Sequence, residues 1–262
     1  VSALGAAFAA AKAEDRALLV GYLPAGFARP ETFAAMVSGG VDVVEVGLPY
    51  SDPLMDGPTI QEAARRALEL GCGTRDVLDT VAAVAATGAP TVVMTYWNPV
   101  EHYGVERFAR DLAAAGGAGA ITPDLIPDEA GPWLDAARAN ALDPVFLVAP
   151  SSTEARLRVV AGVNGGFVYA ASTMGVTGTR EAVSTVAPAL VHRVREVTSL
   201  PVAVGLGVSN GRQAAAVAAY ADGVIVGSAF VRAVLDAQSP TDANDAVAAL
   251  AADLAAGCRD RG

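Results

Sequence analysis

Eight short apolar runs alternate with helical patterns along this chain, a rhythm that restricts it to a parallel α/β architecture. The runs are residues 17–23, 41–48, 91–96, 118–123, 144–148, 167–171, 202–206 and 224–226. Helical periodicity fills the intervals at residues 30–38, 59–70, 75–86, 105–115, 129–140, 154–160, 183–197 and 212–220. Most of these helical patterns end on glycine, at Gly39, Gly71, Gly88, Gly116 and Gly162, as helix C-termini commonly do. A further amphipathic stretch at residues 2–15, with Leu4 and Phe8 four apart, predicts an extra N-terminal helix under the sheet. Residues 242–255 predict a last helix completing the outer ring.

Eight such units either close into a barrel or lie open as a doubly wound sheet. No GxGxxG follows the first strand, which disfavours an open dinucleotide-binding sheet. Glycine concentrates instead after strands six, seven and eight, where a barrel places phosphate. The 262 residues are close to the roughly 250 typical of that fold. The expectation is a (β/α)8 barrel of the TIM type, one domain spanning residues 1–262, with an extra N-terminal helix.

In such a barrel the chemistry sits at the C-terminal ends of the strands. The second strand carries one carboxylate, Glu45, between valines on both faces. Side chains alternate, so Val41, Val43 and Glu45 are expected on one face and Val44, Val46 and Leu48 on the other. A buried carboxylate is costly unless paired, protonated or useful; a structural role satisfied by backbone donors is the plain alternative. Asp52 and Asp56 follow in the next loop, and Pro58 suits a first helical position. Asp124 ends strand four and Tyr169 lies in strand six. The anion candidates are Gly175 to Gly178, Gly205-Leu206-Gly207 and Gly227-Ser228. Any one glycine pair is equally compatible with a tight turn, Tyr169 with the core, Asp52 with bracing its own loop, and Tyr96 and Trp97 with rim packing.

Other chemistries lack their residues. A net charge of −10 opposes nucleic-acid and anionic-membrane partners. No apolar tract reaches the roughly 18 residues of a membrane span. The N-terminal stretch lacks a basic region, so no signal peptide is expected. Cys72 and Cys258 match no disulfide framework, and a cytoplasmic setting is expected. The one lysine, Lys12, precedes the first strand, which removes a Schiff-base aldolase. His102 in a loop and His192 on a helix supply no metal-ligand spacing. Carbon–carbon cleavage on this chain has to run on carboxylate acid–base chemistry.

The run from Glu45 to Gln61, EVGLPYSDPLMDGPTIQ, closely resembles the signature of the tryptophan synthase alpha chain. The resemblance extends over the whole chain, through Met94 to Pro99, Pro123-Asp124-Leu125, Tyr169, Gly175 to Gly178, Gly205 to Ser209 and Val226 to Ala229. It implies a lyase that cleaves indole-3-glycerol phosphate to indole and glyceraldehyde 3-phosphate. By position it implies Glu45 as the acid–base glutamate and Asp56 as the carboxylate that accepts the indole N1–H. It implies phosphate contacts at Thr177, Gly178, Gly207, Gly227 and Ser228, and Tyr22, Tyr96, Tyr169 and Leu206 around the indole and glycerol. It further implies an alpha2beta2 heterotetramer in which indole passes to a beta chain. Pyridoxal phosphate would belong to that beta chain, and this chain would need no cofactor. Residues 51–58, 97–99 and 172–179 would form or gate the contact.

The sequence departs from many relatives in the first loop, where Pro24 and Phe27 stand, and in the sixth, where Thr173 stands in place of an arginine. Neither departure removes a catalytic group. Two other readings keep the fold: a free-standing lyase without a partner, and a non-catalytic scaffold barrel.

Overall fold

The computed structural model describes residues 2–172 and 186–260. Helix α1 (Ala3–Ala13) precedes β1 (Leu18–Pro24), followed by α2 (Pro30–Ser38), β2 (Val43–Gly47), α3 (Pro58–Glu69), α4 (Thr74–Ala85) and β3 (Thr91–Met94). Next come α5 (Trp97–Tyr103), α6 (Val105–Ala114), β4 (Gly119–Ile121), α7 (Gly131–Ala139), β5 (Asp143–Val145), β6 (Leu147–Val148) and α8 (Glu154–Val163). The chain continues through β7 (Val168–Ala171), α9 (Val186–Arg195), β8 (Val202–Gly205), α10 (Gly211–Ala218), β9 (Gly223–Val226), α11 (Ser228–Asp236) and α12 (Pro240–Arg259).

All strand pairs are parallel, in the order β5-β4-β3-β2-β1-β9-β8-β7-β6. Strands β5 and β6 are two halves of one barrel stave, separated by Phe146. One half pairs with β4 and the other with β7, so the barrel closes through this stave. The break has a local cause: the Asn164 side chain accepts the Phe146 N–H at 2.6 Å and takes it out of the ladder.

Alternation along each strand divides the core into two layers. Leu18, Val20, Val43, Val92, Ile121, Val145, Ala203 and Ile225 fill the barrel interior above Leu4, Phe8 and Ala11 of α1. Phe8 meets Phe167 with ring centroids 5.3 Å apart, closing the floor. Val44, Val46 and Leu48 face outward with Phe33, Met36, Phe108, Trp133 and Phe230 into the layer beneath the helices. Fully burying a large apolar side chain contributes about 1.5–3 kcal/mol, so a strand covered on both faces is strongly fixed in register. Val41 does not share the Glu45 face. It precedes β2, beyond the reach of strand alternation, and joins the outer layer.

Two helices escape the periodicity. Helix α5 has only seven residues, too few for a periodic pattern, and it carries His102, which is therefore not in a loop. Helix α11 falls between the last strand-like run at residues 224–226 and the expected final helix at residues 242–255. Gly162 falls inside the last turn of α8 and does not end it. Asp124 lies beyond β4, in the turn that follows.

Asp42 pins the lower rim. Its Oδ2 accepts the Leu19 N–H at 2.8 Å, and Arg16 holds both carboxylate oxygens at 2.8 Å. Asp42→Ala strips that N–H of its acceptor and leaves the half-buried Arg16 without its bidentate partner. The expected loss is about 2–3 kcal/mol, read as a lower urea midpoint at unchanged slope.

Candidate active site

Helices cover the outer face of the barrel and α1 covers its floor, so the strand ends at the top are where side chains meet solvent. There a cavity of about 440 Å³ is lined by Tyr22, Glu45, Asp56, Met94, Tyr169, Leu206, Gly207, Gly227 and Ser228, among others. The loops after β2, β8 and β9 thus converge on one space.

Glu45 projects into it from the middle of β2 and is 2% exposed. Its Oε2 has no hydrogen-bond partner among the described residues. Burial, and secondly the charge of Asp56, push its carboxyl up to about 8. Removing a carboxylate from water disfavours its charged form, so Glu45 stays protonated well into neutral pH.

Asp56 reaches the cavity from the loop between β2 and α3. Gly57 and Pro58 open α3 directly behind it, with proline at a first-turn position where its missing N–H costs nothing. Tyr96 holds this loop: its hydroxyl accepts the Met55 N–H at 3.0 Å and is hydrogen-bonded to the Asp56 side chain. Tyr50 stacks on Tyr96 with centroids 5.1 Å apart, and the Gln61 side chain donates to the Asp56 carbonyl at 2.8 Å. Burial raises the Asp56 carboxyl while the Tyr96 hydrogen bond pulls it back down. Tyr96 thus stands behind the loop as its brace and does not itself line the cavity.

Two tyrosines span the space over two glycines. Tyr22 pairs in register with Glu45, and its hydroxyl lies where a Cβ on Gly47 would be. Tyr169 lies likewise over Gly205 of the neighbouring β8, 2.6 Å from where that Cβ would sit. Both phenols are pushed well above their usual range, first by burial and then by the two carboxylates.

The loops after β8 and β9 offer backbone donors to the same cavity. Gly207 has φ +76°, with open space where a side chain would stand. Gly227 caps α11 without any side-chain acceptor, leaving the first N–H groups of that helix available. Helix α10 differs, because Asn210 accepts the Gln213 N–H at 3.0 Å and closes that end. Thr177 and Gly178, like Gly175 and Thr173, lie outside the described residues.

Other candidates fall elsewhere. Asp52 accepts the Ser51 hydroxyl at 2.6 Å on the exposed loop. Asp124 accepts the Trp97 N–H at 2.9 and 3.1 Å and caps α5, while the Trp97 ring tilts against Trp133. Pro24 ends β1, and Phe27 borders a groove between α2 and α12, away from the cavity. His192 on α9 is 3.5 Å from Glu196 in the turn just after that helix. Among the described residues, no group of three or more His, Cys, Asp or Glu could hold a metal ion. Nor is any helix among them long and apolar enough to cross a membrane. Sequence reasoning missed Met94 and Ile225 as lining residues, although the period-two alternation with Val92 and Gly223 points them inward. It also missed Thr59, which has no motif-level signal beyond following Pro58.

The arrangement sets two carboxyls of raised affinity for protons against a wall of backbone donors, suited to acid–base chemistry on an anionic substrate. The family model for the tryptophan synthase alpha chain matches residues 8–259. The chain is 59% identical over 263 residues to the tryptophan synthase alpha chain of Acidothermus cellulolyticus, covering 99% of this chain and 98% of the relative. It is also 59% identical over 258 residues to that of Thermobifida fusca, covering 96% of each. A structure of Mycobacterium tuberculosis tryptophan synthase superposes with a TM-score of 0.91 at 54% identity, covering 99% of both chains. On this evidence the chain belongs to the tryptophan synthase alpha chain family.

Proposed function

We propose that Glu45 and Asp56 carry the lyase reaction of this family, the cleavage of indole-3-glycerol phosphate into indole and glyceraldehyde 3-phosphate. The observation that bears the most weight is the buried, unpartnered Oε2 of Glu45 facing a cavity that also holds Asp56. Protonated Glu45 gives its proton to indole C3, and the ring becomes an indoleninium electron sink. The resulting carboxylate takes the proton of the C3′ hydroxyl, the C3–C3′ bond breaks, and its electrons return to the ring. Glu45 ends protonated, as it began. Asp56 accepts the N1–H and stabilises the positive charge that develops beside it. Gly207, Gly227 and Ser228, with Thr177 and Gly178, hold the phosphate through backbone and hydroxyl donors. Tyr22, Tyr169 and Leu206 shape the indole and glycerol space, and Tyr96 sets the position of Asp56.

Residues 1–262 act as one cytoplasmic barrel domain in this reading, and a beta chain is its partner in an alpha2beta2 assembly. The rim supports a docking face, since Leu54 is 88% exposed, Met55 58% and Ile126 44%. Pyridoxal phosphate belongs to the beta chain. In this chain Lys12 sits on α1 below the barrel, so the cavity has no lysine to form a Schiff base. Adding beta chain should raise the rate of indole formation; an unchanged rate would remove the partner from the proposal.

Glu45→Gln keeps the side-chain shape and removes the proton shuttle. Indole release should fall by about a thousandfold or more, and a near wild-type rate would overturn the assignment. Asp56→Asn is expected to lose on the order of a hundredfold.

The pH profile of kcat/KM should be bell-shaped. The alkaline limb follows loss of the Glu45 proton near 8, and the acid limb follows protonation of Asp56 above the usual aspartate range. Asp56→Asn should flatten the acid limb and, by removing the charge that helps raise Glu45, shift the alkaline limb to lower pH.

The same carboxyl has a stability signature. Its affinity for protons is higher in the folded state, about 8 against 4.5, so its contribution is complete below 4.5 and is lost as pH rises through 8. Glu45→Gln should therefore match wild type near pH 4 and exceed it by roughly 4–5 kcal/mol above pH 8. Denaturation midpoints across that range check the sign.

A further inference from the structure

The cavity poses an electrostatic problem for a phosphorylated substrate. Among the described residues that line it, the ionisable carboxyls are Glu45 and Asp56, and no arginine or lysine is present. The whole chain carries −10. Backbone donors and helix ends contribute only partial charges, while a phosphate monoester arrives as a dianion.

One cation stands just outside. Arg232 lies on α11 four residues after Ser228, on the helix whose uncapped start forms the phosphate wall. Helical side chains lean toward the N-terminus of their helix, so its guanidinium is carried back toward the cavity mouth. There its Nη2 donates to the Thr59 hydroxyl at 2.9 Å. Thr59 belongs to the first turn of α3, lines the cavity and lies three residues after Asp56. Among the described residues no carboxylate forms an ion pair with Arg232. Having accepted from Arg232, the Thr59 oxygen still carries its own O–H, free to donate into the space it lines.

We propose that Arg232, through Thr59, is a positioning and affinity residue for the substrate phosphate, joining the phosphate-binding helix to the loop that carries Asp56. This rests on the reading of the cavity as a site for indole-3-glycerol phosphate. The guanidinium offsets the acidic cavity as the dianion enters, and the Thr59 hydroxyl it polarises supplies a directed donor beside the start of α11. One side chain thereby ties occupancy of the phosphate wall to the placement of the catalytic loop.

Two ligands separate this role from a purely structural one. Glycerol 3-phosphate carries the phosphate without the ring, and indole carries the ring without the phosphate. Titration of the full chain with each, before and after Arg232→Gln, reads the two halves of the site independently. Arg232→Gln should weaken glycerol 3-phosphate by about three- to tenfold and leave indole within about twofold, with the wild-type preference fading at high ionic strength. Arg232→Lys, which keeps the charge, should recover most of the affinity. In turnover the loss should appear mainly in KM. Unchanged glycerol 3-phosphate binding in Arg232→Gln overturns the inference, as does an equal loss for both ligands, which marks damaged packing between α3 and α11. A wild-type chain that binds neither ligand overturns the substrate reading itself, and the inference with it.

Discussion

A parallel strand covered on both faces has nowhere to put a charge, and that constraint organises the molecule. Helices seal the outside of the barrel, and α1 seals the floor with Leu4, Phe8 and Ala11. Polar chemistry is confined to the open end. Glu45 occupies the last interior position before Gly47, deep enough to lose its water and high enough to face the cavity. The proton affinity that suits it to acid–base work is a direct product of this placement. The fold and the chemistry are therefore a single problem in solvation.

The neighbouring loops manage the consequences of that desolvation. Asp56 has to stay ionised close to a group that prefers to be neutral. Tyr96 achieves this by giving Asp56 a hydrogen bond while taking one from the Met55 backbone, so a single phenol satisfies both ends of the loop turn. The carboxyls and the open start of α11 line the same cavity, and the Arg232–Thr59 hydrogen bond joins α11 to the helix that follows Asp56.

Much of this was legible in the sequence because the informative residues are contiguous. The segment from Val43 to Pro58 reads as a buried strand, an acidic loop and a proline-started helix, and it folds that way. Alternation assigned Glu45 to the same face as Val43, but failed at Val41, two residues before the strand begins. What escaped depends on distance. Arg232 and Thr59 are 173 positions apart and meet only because α11 packs on α3. The split of the fifth stave is invisible for the same reason: Asn164 takes the Phe146 N–H from 18 residues away. Helix α5 is too short to announce itself, and it owes its start to Asp124 on the next loop.

The tyrosine-over-glycine pairs have an evolutionary consequence. A ring at 22 and a side chain at 47 compete for one volume, as do a ring at 169 and a side chain at 205. Each pair is coupled through the volume it shares. A side chain at 47 would require the Tyr22 ring to move or shrink, so a change at one position is felt at the other. Drift in the shape of this cavity should therefore proceed by paired exchanges.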